Sequence, residues 1–499
     1  MRNTDLANLI NSINAKKFIS VLPACLIAAG VLVRVLQYVH NRSLWIDEAM
    51  LARNIISRDF LGLLAPLDFN QGAPVLFLWL IKSSSVFFGT DELALRLFPL
   101  LVSIAGIFLF YLIAKSFLEE RFALAALFLF VFSTKLIYYT QELKQYSFDV
   151  TITIIIIYLT VQICNKKNNI HSCFLFITAA GCISTYISFP SIFAIASAST
   201  TIIILKIRKK INISNYYIAA MFALWGIAFS LNYFVLMKPL AQNDYLFSFW
   251  AKGFLPPPIN AEALKAWGTI ITNFLSYFEI KSVFQIPIIA FSGIAVIAGV
   301  RNKSESTFAL AAIILFAIMA SMLGKYPLEK RMALFAFPAI ILLTAKGAET
   351  IAANKNTYVS LALILTIVMP TISTIPNATK PIKREEVRDI LQLLDSKIQN
   401  EDIVYVYFRA THAVKYYKRS ELLNEQTWHF GSSTKNETNE YIESEINSIN
   451  KNKKVWFIFS HINKEKEKNF ISRINGTLVE RHKKKGASLY LYKFTNEIF

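Results

Sequence analysis

Cysteine is scarce in this chain. Its four cysteines in 499 residues, Cys25, Cys164, Cys173 and Cys182, all lie in or beside long apolar runs. The polar C-terminal part has none, which excludes a disulfide framework there. The six histidines show no metal-ligand spacing, and His412 and His429 read as surface or core residues of that polar part. Low-complexity segments and short-period repeats are absent. A cleaved signal peptide is excluded as well, because the first apolar run is too long and no small-residue cleavage site follows it.

Apolar sequence is abundant. Hydrophobic residues make up 55% of the chain and the mean hydropathy is +0.44, above the 45–50% typical of soluble domains. The runs Phe18–Val39, Leu93–Phe117, Phe122–Ile137, Phe148–Ile163, Phe174–Ile187, Ile192–Leu205, Tyr216–Leu236, Ile286–Val300, Phe308–Leu323, Met332–Thr344 and Val359–Val368 each approach the ~20 residues that cross a bilayer, once flanks are counted. About eleven transmembrane helices follow.

The formal charge of +19 could point to nucleic acid, but its placement argues for a membrane instead. Lys and Arg cluster in short connections at Lys115 to Arg121, Lys166-Lys167, Lys206 to Lys210, Arg301 to Lys303 and Lys346 to Lys355. Such loops stay on the cytoplasmic side. All of them fall on that side only if Pro74–Gly89, shorter than the ~20 residues of a span, lies in the membrane plane. The N-terminus, with Lys16-Lys17, is then cytoplasmic and the C-terminus external.

Under that topology the outer face collects a loop from His40 to about Glu92, the turn Tyr138 to Tyr146, a loop from Lys238 to about Gln285 with Pro256-Pro257-Pro258, and Lys325 to Arg331. Beyond Pro376 the composition becomes polar. Glu386–Ile398 has a helical apolar period, and Ile403–Phe408, Val455–Ser460 and Ser488–Tyr492 read as short strands. The chain therefore divides into a membrane domain over residues 1–375, with its first external loop at 40–92 and an in-plane helix at 74–89, and an external α/β domain over 376–499.

Trp45-Ile46-Asp47-Glu48-Ala49 follows the first span directly. An ionisable residue at a membrane boundary is a functional candidate by default, although Asp47 and Glu48 could also serve a helix N-terminus. The outer face is mixed in sign. Asp47, Glu48 and Glu142 are acidic, while Arg96, Lys144, Lys325, Lys330 and Arg331 are basic, unlike a cation pathway lined mainly by acids. A mixed site suits group transfer from a phosphorylated carrier. The cations would stabilise a leaving phosphate, and a carboxylate would take a proton from the attacking hydroxyl. A divalent cation is compatible but not required.

Trp-x-Asp-Glu-Ala after the first span resembles the first external loop of lipid-carrier-dependent membrane glycosyltransferases with the GT-C fold. The nearest likeness is to the superfamily of protein O-mannosyltransferases, aminoarabinose transferases and galacturonosyltransferases, glycosyltransferase family 39-like. Gln71 to Leu80 is similar to the family's x-Pro-Pro-Leu-aromatic segment opening an in-plane helix. Phe88 to Pro99 resembles the start of its second span, with Arg96 in the arginine position. Tyr138 to Tyr146 resembles its Tyr-Ser-Gln-Glu-x-Arg-x-Tyr turn, and Tyr326 to Pro338, with Arg331, its later Tyr…Arg…Pro segment.

The likeness covers about the first 350 residues in order. The terminal part matches loosely, through Asp402 to Tyr407 and Val455-Trp456-Phe457. Ala73-Pro74 stands where the family has paired prolines, and Lys144 where arginine is commoner, which loses bidentate geometry at a phosphate.

The resemblance implies an inverting glycosyltransferase of the bacterial inner membrane. Its donor would be a sugar on a polyprenyl phosphate and its acceptor an extracytoplasmic lipid, polysaccharide or protein, with no nucleic acid involved. Asp47 would be the general base, with Glu48 as the second catalytic candidate. Arg96, Glu142, Lys144, Tyr146, Tyr326, Lys330 and Arg331 would bind substrate, and Asp47 with Glu142 would hold Mg2+ or Mn2+ if a cation binds. Each has a plainer alternative: Arg96 could snorkel to headgroups, Tyr146 could be an interface aromatic, and Lys330-Arg331 could bind anionic lipid. Two other functions fit a polytopic chain, a lipid or polysaccharide transporter or flippase and a lipid-phosphate ligase or polymerase of different fold. The first predicts mid-span charges and half-repeats, and the second has no need of the acid pair.

Overall fold

Long apolar runs in a chain with few internal breakers become helices, because a backbone in lipid must satisfy its own hydrogen bonds. The computed structural model describes residues 3–165, 169–353, 357–372, 375–418, 427–432, 438–449 and 453–494. Lys166-Lys167 and Lys355 lie outside them.

Helix α1 (Asn3–Val39) starts well before the first apolar run. After it come α2 (Ile46–Ser57), α3 (Val75–Phe88), α4 (Glu92–Phe117), α5 (Glu120–Val131), α6 (Thr134–Tyr139), α7 (Tyr146–Asn165), α8 (Ile170–Ile187), α9 (Ser191–Ile207) and α10 (Asn215–Asn232). The predicted loop from Lys238 to Gln285 is largely helical, holding α11 (Lys238–Ala241), α12 (Asp244–Phe249) and α13 (Ala261–Tyr277). Next are α14 (Ser282–Arg301), α15 (Glu305–Met322), α16 (Phe337–Ala352), α17 (Thr357–Ile372), α18 (Ile375–Ala378), α19 (Val387–Asp395) and α20 (Thr411–Tyr417).

Eight helices among the described residues are long and apolar enough to cross a membrane, and α9 and α17 are shorter apolar helices. The protein is a multi-pass membrane protein. The run Phe122–Ile137 is not one helix, since α5 ends at Val131 and α6 begins at Thr134. Buried Arg34, inside α1, donates to the Val131 carbonyl freed at that break (3.1 Å), to Gly30 O (3.2 Å) and to Ser103 Oγ (3.0 Å). An arginine within a span thus serves the scaffold.

Local chemistry sets the ends. Asp91 caps α4 by accepting from Ala94 N at 2.8 Å, and Gly89, at φ +94°, supplies the conformation that ends α3. Helices α14 and α16 touch so closely at Gly347 that a Cβ there would lie 1.8 Å from Phe291 O.

The described parts of the basic connections share one end of the bundle. Asn165 donates to Ser116 O (3.1 Å), Glu119 N to Glu349 (3.0 Å), and Arg208 to Lys303 O (3.2 Å) and Glu305 (2.7 Å). The opposite end gathers Tyr38 with Leu93 O (2.8 Å) and Arg42 with Gln141 O (3.3 Å). Since α1 finishes where α4 starts, the intervening α2 and α3 lie at that end.

The C-terminal part carries a five-stranded sheet in the order β2-β1-β3-β5-β4, from β1 (Ile403–Val406), β2 (Thr427–Phe430), β3 (Lys454–Ser460), β4 (Thr477–Lys484) and β5 (Ala487–Lys493). β1 runs parallel to β2 and β3, and β5 antiparallel to β3 and β4. Strands β2 and β4 were not legible in the sequence. Both are edge strands whose residues stay largely outside the core, so they lack the apolar signal that marks β1, β3 and β5. The sheet docks on the end holding α2 and α3. Val387, Val404, Val414, Trp456 and Leu491 share one apolar core with Leu44, Ala49, Leu51 and Phe77. Polar contacts join them too, from Arg388 to Glu92 (2.7 Å), Tyr416 to Thr90 O (2.7 Å) and Tyr417 to Glu92 (2.7 Å).

Candidate active site

The acid pair opens α2. Successive helical residues point about 100° apart, so Asp47 and Glu48 face different surroundings. Asp47 lines a cavity of about 2360 Å³ where the bundle, the α11–α12 segment and the sheet domain meet. Its Oδ2 lies 2.9 Å from Arg331 Nη2, with the two side chains 23% and 17% exposed. Arg331 is the second residue of the 3-10 helix Lys330–Ala336 that leads into α16. Its guanidinium stands over the rings of Trp45 (5.4 Å), Trp250 (5.4 Å) and Tyr146 (5.8 Å).

Glu48 points the other way and is fully buried. Arg96 meets it through Nε (2.9 Å) and Nη2 (2.8 Å), Arg42 through Nη1 (3.1 Å), and Leu143 N donates to it at 2.7 Å. Burial would push this carboxyl up, but Arg42 and Arg96 with the Leu143 N–H outweigh it and hold Glu48 below the usual range. Glu142 is buried beside it, accepting from Trp45 Nε1 at 3.2 Å and lying 3.8 Å from Arg42. Burial and the Glu48 charge push Glu142 up.

The structure thus separates the sequence candidates. Asp47, Lys144, Tyr146, Tyr326, Lys330 and Arg331 line the cavity, whereas Glu48, Arg96 and Glu142 do not. Arg96 neither snorkels nor reaches the cavity, because its guanidinium is engaged by Glu48 and by Arg42 O (2.6 Å). Lys144 Nζ donates to Gln71 Oε1 at 2.6 Å, and burial lowers its pKa against the raising influence of Asp47. Tyr326 donates to Met332 O at 2.9 Å, fixing the turn that carries Arg331. Lys330 pairs with Glu329 at 2.9 Å and is the more exposed of the two adjacent cations.

The donor set does not suit a divalent cation at Asp47 and Glu142. Asp47 pairs with Arg331 and Glu142 sits behind Trp45, and no group of three or more His, Cys, Asp or Glu among the described residues is arranged for a metal.

Sequence reasoning missed the groups that the sheet domain adds. Lys383, Arg384, Arg409, His412 and His461 all line the cavity. Arg384 donates to Tyr138 Oη at 3.1 Å, and its guanidinium carbon lies 3.2 Å from the centre of the Trp45 ring. These residues lie more than 330 positions from Asp47, and no local pattern marks them. Only the run Lys383-Arg384 beside Glu385-Glu386 offered a signal, as a mixed-charge segment at the domain junction.

One side of the cavity is apolar and aromatic, with Phe189, Ile192, Phe193, Phe229, Met237 and Leu240. Among the charged lining residues, Lys and Arg outnumber the acids, which are Asp47 and Glu329. Such a chamber can take a long apolar chain, hold an anion at its head and present one carboxylate to it.

Residues 72–248 match the family model described as dolichyl-phosphate-mannose-protein mannosyltransferase. That stretch includes Arg96 and the 138–146 turn but neither Asp47 nor Arg331. No curated protein matches the chain by sequence. Among solved structures it is similar to ArnT from Cupriavidus metallidurans bound to undecaprenyl phosphate (TM-score 0.53, 11% identity, 94% of this chain and 97% of that one). It is also similar to the apo oligosaccharyltransferase of Archaeoglobus fulgidus (TM-score 0.55, 9% identity, 96% and 75%). A third likeness is to AglB of the same organism with an inhibitory peptide and a dolichol-phosphate (TM-score 0.52, 10% identity, 96% and 74%). At these identities the likeness is one of fold: the chain has the GT-C architecture.

Proposed function

We propose that this protein is an inverting membrane glycosyltransferase that moves a sugar from a polyprenyl-phosphate donor to a lipid, polysaccharide or protein acceptor. The observation that carries the reading is the 2.9 Å contact of Asp47 with Arg331 at the wall of a chamber with one apolar side. The matched family model and the carrier phosphates bound to ArnT and AglB support it.

The prenyl chain lies along Phe189, Phe193, Phe229 and Leu240, so the carrier never leaves the bilayer. Its phosphate takes over the Arg331 guanidinium, with Lys330 and Lys144 near it, and Asp47 is freed to face the acceptor. The acceptor oxygen attacks the anomeric carbon from the face opposite the phosphate as the carbon–oxygen bond to phosphate breaks. The acceptor proton passes to Asp47, and the negative charge leaves on polyprenyl phosphate, stabilised by the cations. Glu48, Arg96 and Glu142 act from behind the wall by fixing Trp45 and the first turn of α2.

The basic end, with Lys115, Arg121, Lys206, Arg301 and Lys346, faces the cytoplasm by the positive-inside rule. The site and the sheet domain then stand outside, at a bacterial inner membrane. Purified protein incubated with radiolabelled polyprenyl-phosphate sugars should release the carrier phosphate. No release from any such sugar would sink the reading. For orientation, a cysteine placed within residues 116–120 should resist a membrane-impermeant thiol reagent in intact cells, while one at Lys330, exposed at the cavity wall, should react. The reverse pattern would invert the topology.

A further inference from the structure

Helix α2 caps its own first turn only weakly. The residue before it is Trp45, whose indole offers no hydrogen-bond acceptor, and Glu48 reaches back to Trp45 N only at 3.5 Å. The next backbone donor, Ile46 N, is satisfied from far away in sequence, by Glu385 Oε2 at 3.0 Å. Glu385 is buried, and its other oxygen meets His461 Nδ1 at 2.7 Å. His461 directly follows β3 and holds φ +54°, a left-handed conformation that residues with side chains rarely adopt. Its ring stacks on Trp45, with centroids 6.3 Å apart and planes 29° apart.

The sheet domain also grips the segment that carries Glu385. Gly486, in the β4–β5 turn at φ +66°, approaches so closely that a Cβ would lie 2.1 Å from Arg384 O, and Glu386 N donates to Lys485 O at 2.9 Å. The chain of contacts therefore runs from two places in the sheet domain through Glu385 to the residue adjacent to Asp47.

We propose that Glu385 and His461 are positioning residues for the Asp47 carboxylate, so that the C-terminal sheet domain sets the geometry of the proton-accepting group. The inference rests on Asp47 being the base. Docking alone is already served elsewhere, by Arg388 on Glu92 and by Tyr416 on Thr90 O at the start of α4. Those contacts do not reach the first turn of α2. The Glu385–His461 relay does, and it meets both Trp45, by stacking, and Ile46, by hydrogen bond. A general base displaced by about 1 Å loses on the order of a hundredfold in rate, so a relay of this kind has a measurable effect on turnover.

The test compares full-length variants in detergent, reading carrier release from the polyprenyl-phosphate sugar turned over by the wild type, with equilibrium binding of undecaprenyl phosphate in parallel. Glu385→Ala and His461→Ala should lower kcat about tenfold to a hundredfold, leaving KM and undecaprenyl phosphate binding within about twofold. His461→Asn keeps an N–H close to the Nδ1 position and should recover most of the rate. Arg388→Ala, which loosens docking only, should keep kcat. Unchanged kcat in both alanine variants would overturn the proposal, as would an equal loss in Arg388→Ala or a loss that His461→Asn fails to restore. Asp47→Asn with wild-type turnover would instead remove the base reading itself, whatever the relay variants do.

Discussion

Two regions meet at Trp45, and adjacent residues belong to different ones. Behind the indole, Glu48, Arg42, Arg96 and Glu142 form a closed ionic cluster with side chains almost wholly out of solvent. In front of it, Asp47 and Arg331 form a pair of similar length at the wall of a large chamber. The residue types are the same on both sides. The buried cluster holds Glu48 with several fixed donors, gives Glu142 the Trp45 indole N–H, and does not line the chamber. The open pair gives each charge one partner and leaves a face that a phosphate or hydroxyl can approach. Partner count and access, rather than the presence of charge, divide scaffold from chemistry here.

The largest effect that would sharpen this contrast is on turnover. Asp47→Asn removes a proton acceptor while keeping the volume, so carrier release should fall about 10²–10⁴-fold with an unchanged thermal midpoint. Glu48→Gln should do the reverse. It leaves buried Arg96 without a counter-charge and Arg42 with Glu142 alone, 3.8 Å away, a loss of about 3–5 kcal/mol in stability, visible as a lowered unfolding temperature in detergent. A Glu48→Gln protein with wild-type stability and no turnover would break the comparison by moving Glu48 to the chemical side.

Next in size is Arg331. A charge-assisted hydrogen bond to the carrier phosphate contributes about 1.5–3 kcal/mol. Arg331→Ala should therefore reduce donor efficiency roughly tenfold to a hundredfold with little change in acceptor dependence, and Arg331→Lys should recover part of it. Donor titrations of both variants decide; unchanged donor kinetics would leave Arg331 as a headgroup anchor.

The smallest effect concerns His412, half-buried in the cavity wall with its Nδ1 2.8 Å from Arg53. Burial, then Arg53 and Lys415, lower its pKa from the ordinary 6.5 to about 4. The unfolded chain therefore binds the proton first, so its contribution to stability is present above pH 6.5 and is lost as pH falls toward 4. His412→Gln should flatten the dependence of the unfolding temperature over that window, and an unaltered slope would rule His412 out as a cause.

The membrane architecture was legible because each apolar run must be internally hydrogen-bonded in lipid, which leaves helix as its form. The gathering of the basic connections at one end followed from the same runs and their charges. The helical content of residues 238–277 was not legible. Short amphipathic helices such as α13 share their polarity with loops, and only packing against the bundle distinguishes them. At the site, the Asp47-Glu48 pair and the Arg331 segment stood out by their position beside spans. Which acid faced the chamber was invisible, because it depends on the rotation of α2 about its axis.

The amino-acid sequence by itself therefore determined a helical membrane bundle, a polar C-terminal α/β part and one end rich in mixed charge, since composition and periodicity act locally along the chain. Tertiary structure alone decided that Arg96 serves Glu48, that Asp47 meets Arg331, and that Glu385 and His461 reach the first turn of α2. Those contacts join residues separated by 48 to 339 positions. Hydrogen bonds and ion pairs act over a few ångströms in space, and only the folded chain brings such distant groups within that range.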